Sequence, residues 1–294
     1  MITTTVSGAV APASIAARTL RPANLLAQQI TGRPYLTFAQ VALIRACPRK
    51  FAFQHVEHAR REFLPSSLLF GGSIRSALEL YFLCCRAKLG VTPEALLSAY
   101  HDGGNRQRRE AGNVPVRFNK NEDADMLHAL ADRIMGAFLA SDLAHPQGAI
   151  WGVEQEFRLV LDENLPDVLV RADLITQTDA AIHLVNWKTS RSRWSPQKAQ
   201  DAGGPLILCG AMIQSLSSGL GLPVKLHLGV MTKAKAPRVQ LLPVAGDVEH
   251  VAAAKESVAQ AWTAIRYGSF YANPAPQNCT ACPFGARCPE SAQA

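Results

Sequence analysis

The spacing of apolar and polar positions changes character near residue 150. Before it, apolar residues recur every three to four positions, the period of a helix with one buried face. Thr37-Phe38-Ala39-Gln40 has the form of a capping box ahead of Val41, Leu43 and Ile44, so order is expected from Leu36. A second helix is predicted over Ser67 to Lys88, stopped by Gly90. A third starts at Thr92-Pro93-Glu94, where a cap residue precedes a proline suited to the first turn. A fourth covers about Asp123 to Leu139, with Met126, Leu127, Leu130, Ile134 and Phe138 in one stripe. The segment 103–120, polar and basic, reads as a loop.

After residue 150 the period shortens. Residues 151–161, 168–175 and 181–187 are short β-rich runs separated by turn signals. A helix-compatible stretch follows over about 196–216, then strands at 224–231 and 238–244 and a last long helix over 248–267. No internal repeat is visible. The expected fold class is α/β, a central mixed β-sheet flanked by helices, with an α-helical N-terminal part and a Cys-rich tail. The predicted organisation is a flexible tail over 1–34 and one domain over 35–294. That domain divides into a helical part (35–145), a core (150–245) and a closing helix with the tail (246–294).

Composition narrows the class. The 294 residues are 48% hydrophobic and 18% charged, an ordinary globular balance. Thirty Lys and Arg against 23 Asp and Glu give +7, compatible with a polyanionic partner without requiring one. No uninterrupted apolar run reaches the roughly 18 residues of a membrane helix, so no membrane association and a cytoplasmic location are expected. Seven cysteines, an odd number, argue against a secreted disulfide scaffold and for thiols that are reduced or given to a metal.

Candidate chemistry sits in the strands. Residues two apart share a face, so Asn186 points with Lys188, and Arg171 with Asp173. Glu154, Glu156 and Arg158 share a face of the preceding run. If these strands are neighbours, Glu156, Asp173, Asn186 and Lys188 converge. Carboxylates grouped with a lysine suit phosphodiester hydrolysis by Mg²⁺ or Mn²⁺, with Asp173, Glu156 and Asn186 as oxygen ligands. In that reading Lys188 orients the water or stabilises charge on the phosphate. A solvated ion pair between Asp173 and Lys188 is the plainer alternative.

A second constellation closes the chain. Cys279-x₂-Cys282-x₅-Cys288 brings three thiols close enough to face one inorganic centre, and Cys47, 232 residues upstream in Ala-Cys-Pro-Arg-Lys-Phe, is the natural fourth. Structural zinc on four Cys is one occupant of such a site. Cys84, Cys85 and Cys209 lie in apolar helical contexts and read as buried core thiols.

Val185-Asn186-Trp187-Lys188-Thr189, with Ala172-Asp173-Leu174 before it, resembles the core of the PD-(D/E)XK nuclease superfamily, especially its RecB-like exonuclease branch, which includes the CRISPR-associated type. The resemblance implies a metal-dependent DNA nuclease, and the Cys pattern then implies a [4Fe-4S] cluster on Cys47, Cys279, Cys282 and Cys288. It also implies DNA as partner, and possible company of another nuclease, a CRISPR-adaptation subunit or a repair subunit. Three departures stand out. Arg75 occupies the position of the family's early histidine, Asn186 replaces the acid of the (D/E)-x-K core, and Pro205-Leu-Ile-Leu-Cys209 replaces a Gln-Leu-x-x-Tyr helix. Asn keeps an acceptor oxygen and loses the charge that hard cations favour.

Arg75 suits a DNA phosphate. With Arg106, Arg108, Arg109, Arg191, Arg193 and Lys198, and with Arg117, Lys120, Lys233, Lys235 and Arg238, it would form a phosphate track. Trp187 and Trp194 are read either as base-stacking platforms or as core. Two functions remain open at this point: a DNA exonuclease or endonuclease, and a catalytically inactive relative that binds DNA or assembles a complex.

Overall fold

In the computed structural model, residues 20–290 are described. The first helix, α1 (Pro22–Thr31), lies inside the segment expected to be a flexible tail. Pro22 in its first turn and Gly32 in the left-handed region (φ 76°) define its ends. Asn24 is buried and accepts the backbone N–H of Asp167, and Arg21 pairs with the Asp167 carboxylate, so the helix is tied to the sheet. The remainder of that segment, residues 1–19, lies outside the described residues.

The chain continues through β1 (Tyr35–Thr37), α2 (Phe38–Ala46) and α3 (Pro48–His55). The Thr37–Gln40 capping box is formed, the Thr37 hydroxyl accepting from the Gln40 N–H and the Gln40 side chain accepting from Thr37. Next come β2 (Leu64–Pro65), α4 (Ser66–Arg86), α5 (Pro93–Glu110), β3 (Val116–Arg117) and α6 (Ala124–Leu139). The expected basic loop begins as helix: α5 reaches Glu110, carrying Arg106, Arg108 and Arg109. Gly103 and Gly104 look like helix breakers, but they let α5 pack closely on α4. A Cβ on Gly103 would come within 2.4 Å of the Ser76 hydroxyl.

The second half carries β4 (Ala149–Leu159), β5 (Asp167–Gln177), β6 (Ile182–Ser190), α7 (Pro196–Asp201), α8 (Gly204–Leu216), β7 (Val224–Thr232), β8 (Val239–Val244), α9 (Val248–Arg266) and α10 (Pro276–Cys279). The expected helix over 196–216 is thus divided in two at Gly203-Gly204-Pro205. The strands form a mixed six-stranded sheet of order β1-β5-β6-β7-β8, with β4 along the other edge of β5. One face packs on α2, α8 and α9 through Leu184, Val230, Leu206 and Trp262. The opposite face packs on α4, α5 and α6 through Phe82, Phe138, Val185 and Trp187.

By length and composition α4 is apolar enough to cross a membrane. Here Phe70, Ile74, Ala77, Leu78, Tyr81 and Phe82 of that helix are buried in the second core. Cys209 is fully buried as expected, whereas Cys84 and Cys85, near the C-terminus of α4, are only half-buried.

Candidate functional site

β5 shares one edge between two partners, and the site grows from the gap between them. β1 pairs with Asp167–Leu169, and β6 pairs with Leu174–Gln177. Residues 170–173 therefore have no strand on that edge, although β6 continues beside them to Ser190. Their backbone groups still need partners, because a buried N–H or C=O left unbonded costs about 1–3 kcal/mol. Asn186 supplies both. Its Oδ1 accepts the Asp173 N–H at 2.9 Å and its Nδ2 donates to the Arg171 carbonyl at 3.0 Å. Asp173 closes the fork from its own side: its Oδ2 accepts the Trp187 N–H at 2.7 Å.

Asp173 is almost fully buried, 2% exposed, so it is no member of a solvated ion pair. Around it stand Arg75 from α4 (3.6 Å), Arg171 from β5 (3.8 Å), Lys188 from β6 and Glu154 from β4. Glu154 is itself 3.2 Å from Arg171 and 3.7 Å from Arg75. The structure thus brings Asp173, Asn186 and Lys188 together, and puts Glu154 where Glu156 was expected. Glu156 is exposed and stands opposite Arg171 in the β4–β5 register. The reason is the register: Val153 pairs with Leu174 and Gln155 with Ala172, so Glu154, on the same strand face as Glu156, is the one opposite Asp173.

Desolvation dominates the electrostatics. Burial, then repulsion from Asp173, raises the Glu154 carboxyl to about 7 despite Arg171 and Arg75. Burial lowers the Lys188 ammonium, against the attraction of Asp173. Burial also pushes the Cys209 thiol to about 12, with the Asp173 charge adding to it.

A hard divalent cation does not fit this group. Two carboxylates already face three cationic side chains, and both polar atoms of Asn186 are hydrogen-bonded to the β5 backbone, although Asp173 Oδ1 is buried without a hydrogen-bond partner. Among the described residues, no three or more His, Cys, Asp or Glu side chains are grouped to hold a metal ion. The site thus departs from the Asp173, Glu156 and Asn186 ligand set expected from alternation. Arg75, expected on a DNA phosphate, is turned toward Asp173 and Glu154 instead.

The other charged candidates lie on the surface. Arg106 donates to Ser76, Arg191 donates to Asn119, and Lys198 sits over the Trp194 ring. Arg108 lines a hollow with Ser73, Tyr100 and His128, and Arg109 and Arg193 are exposed. Lys233 feels Glu122 and Arg191, and its N–H donates to Ser190, just beyond Lys188. Trp187 is core: 5% exposed, it stacks on Phe82 (5.7 Å, 12°) and meets Phe138 edge-on.

The cysteines lie apart from the fork, and as placed they too are not grouped closely enough to hold a metal ion. Cys47, Cys279, Cys282 and Cys288 line one pocket together with Lys50, Asn278 and Glu290. Cys282 feels both Cys47 and Cys279, and Cys288 feels Cys282. The surrounding chain is laced together independently of the sulfurs. The Ala46 carbonyl accepts from the Asn273 and Asn278 side chains, the Arg49 backbone N–H donates to the Tyr271 carbonyl, and the Glu62 backbone N–H donates to the Pro283 carbonyl. A donor set of four thiols suits a soft metal or an iron–sulfur cluster.

The family model of the PD-(D/E)XK nuclease superfamily matches residues 35–289. No curated protein matches the chain. Among solved structures, the protein described as "Putative exonuclease" from Eubacterium rectale is similar, with 10% identity and a TM-score of 0.48. The match covers 86% of this chain and 87% of that one. The structure of SSO0001 is similar at 16% identity and a TM-score of 0.28, covering 86% of this chain and 95% of that one.

Proposed function

The chain belongs to the PD-(D/E)XK nuclease superfamily, and from that premise we propose that it binds DNA without metal-dependent cleavage, as a RecB-like member whose catalytic centre has become structural. Nucleases of this superfamily generally depend on Mg²⁺ or Mn²⁺. The observation that carries the reading is the charge and bonding of the fork. Arg75, Arg171 and Lys188 neutralise Asp173 and Glu154, and Asn186 bridges the backbone that an acidic residue would leave half unbonded. Asp173 Oδ1, buried without a hydrogen-bond partner, faces Arg171 at 3.8 Å, so little net negative charge remains to hold a cation and acidify its water. DNA is held by phosphate contacts from surface cations beside the fork, Arg191, Arg193, Lys198 and Lys233 with α5's Arg106 and Arg109.

A [4Fe-4S] cluster on Cys47, Cys279, Cys282 and Cys288 acts here as a clip between α3 and the C-terminal tail. The support is the shared pocket and the donor set. When bound, the cluster supplies a cross-link between distant segments.

The test uses the full chain purified without oxygen and incubated with labelled single- and double-stranded DNA in Mg²⁺ or Mn²⁺. Binding that weakens steeply with salt, without cleavage, is the expected result. Cleavage that Asp173→Ala abolishes overturns it. The same preparation should hold about four iron atoms per chain and absorb broadly in the visible, both lost in Cys282→Ser. One zinc ion and no colour would assign the clip to zinc.

A further inference from the structure

Three places outside the fork and the cysteine pocket carry unused chemistry: the exposed His101–His128 pair, the hollow beside Gly210 and Lys225, and a cavity at the edge of the second core. The last carries an inference furthest. It measures about 440 Å³, and Leu143, Leu174, Val185, Trp187 and Leu241 form its apolar walls. Two histidines project into it from adjacent parallel strands, His183 on β6 and His227 on β7. Their rings lie 19° from parallel, and His183 Nδ1 is 3.3 Å from His227 Nε2.

From this geometry we infer a binding site for a late first-row divalent ion, such as Zn²⁺, Ni²⁺ or Cu²⁺, held by His183 Nδ1 and His227 Nε2. Metal–nitrogen bonds of about 2.0–2.1 Å at a tetrahedral angle put two ligand nitrogens about 3.3 Å apart, which is the spacing present. Imidazole is also the side chain these ions favour.

Three further features agree with it. The two ring nitrogens share a hydrogen bond, and a metal ion between them would replace the shared proton and take a lone pair from each ring. The exposed Lys225, in register with His183, is a cation whose field opposes the metal. The turn Asp142–Ala144 puts Asp142 and His145 on the same cavity wall. Trp187 lines the cavity too, and its buried indole N–H finds no acceptor among the described residues; a metal-bound water would be one. With two protein nitrogens the remaining positions are open to water, so binding is weaker than at a closed three- or four-ligand site. The site is independent of the nuclease-like fork and of the cysteine pocket.

The decisive measurement is a titration of the nitrogen-15-labelled full chain with zinc chloride, reading the imidazole resonances. These are assigned by comparison with His183→Gln and His227→Gln. The His183 and His227 ring nitrogens should shift together in one saturable step. Each Gln variant should weaken that step by at least about tenfold, and Cys282→Ser should leave it intact. Resonances of His183 and His227 that stay fixed, while zinc perturbs only His101, His128 or the cysteines, overturn the site. Should a variant fail to fold, through-bond correlation to the backbone assigns the ring resonances in the unaltered chain, whose titration then decides.

Discussion

At residue 186 the amide does what neither a carboxylate nor a hydrocarbon can. It accepts from one backbone group and donates to the next, across a strand edge that has no partner. Asn186→Asp keeps the acceptor but loses the donor, and sets a carboxylate against the Arg171 carbonyl. It should cost about 1–3 kcal/mol in urea unfolding, without producing metal-dependent cleavage, because the three cations remain. An unchanged midpoint would contradict the bridging role. Glu154 makes a second prediction. Its carboxyl rests near 7 in the native state and at its ordinary 4.5 when unfolded. Between those values the native chain holds a proton that the unfolded chain has released, so stability falls as pH rises from about 4.5 to about 7. Glu154→Gln should flatten that part of the pH–stability curve, measured as urea midpoints at intervals from pH 5 to pH 8. A slope identical to that of the unaltered chain would count against it.

Elements carry the next constraint. β6 and β7 pair in register at Trp187 and Gly229, and the indole lies across the glycine. A Cβ at 229 would come within 2.2 Å of the ring, which Phe82 and Phe138 hold from other sides. Gly229→Ala should therefore destabilise the chain by about 1–3 kcal/mol, the usual cost of overpacking. The check is a thermal melt, and an unaltered Tm would show that the sheet can part there freely. α8 illustrates the converse, an element adapted to burial. Leu206, Ile207, Leu208 and Cys209 all enter the first core.

Across the whole molecule, the two ends of the described chain are stitched by more than sulfur. Phe284 is fully buried and packs against Phe53 of α3 (5.6 Å), while Phe270 stacks on Phe51. Phe284→Ala should cost about 3–5 kcal/mol even when the cysteine site is intact. Chemical denaturation with iron content measured in parallel checks this. An unchanged midpoint with the iron retained would mean that the sulfurs alone hold the ends together.

How much of this was legible beforehand follows from range. The Thr37–Gln40 capping box, the Thr92-Pro93 start and the strand runs were readable because caps and periodicity depend on neighbours a few positions apart. The meeting of Cys47 with the tail triplet was readable from chemistry, since thiols in that pattern have few other uses. Glu154 was not. Alternation puts it on the same face as Glu156, and only the β4–β5 register sets Glu154 and not Glu156 opposite Asp173. Nor could the sequence show that Asn186 is bonded on both sides, because that depends on β1 and β6 dividing one edge of β5. Arg75 was likewise read as reaching for phosphate, and only the packing of α4 against β4 and β5 turned it inward.

By itself, then, the order of amino acids settled the local elements, the α/β class and the residue types available for chemistry, since each arises from short-range pattern and side-chain identity. Tertiary structure decided which charges neutralise one another, which amide is consumed and which two imidazoles face each other. Those outcomes depend on distances between segments far apart in the chain, and on how completely water is removed from between them.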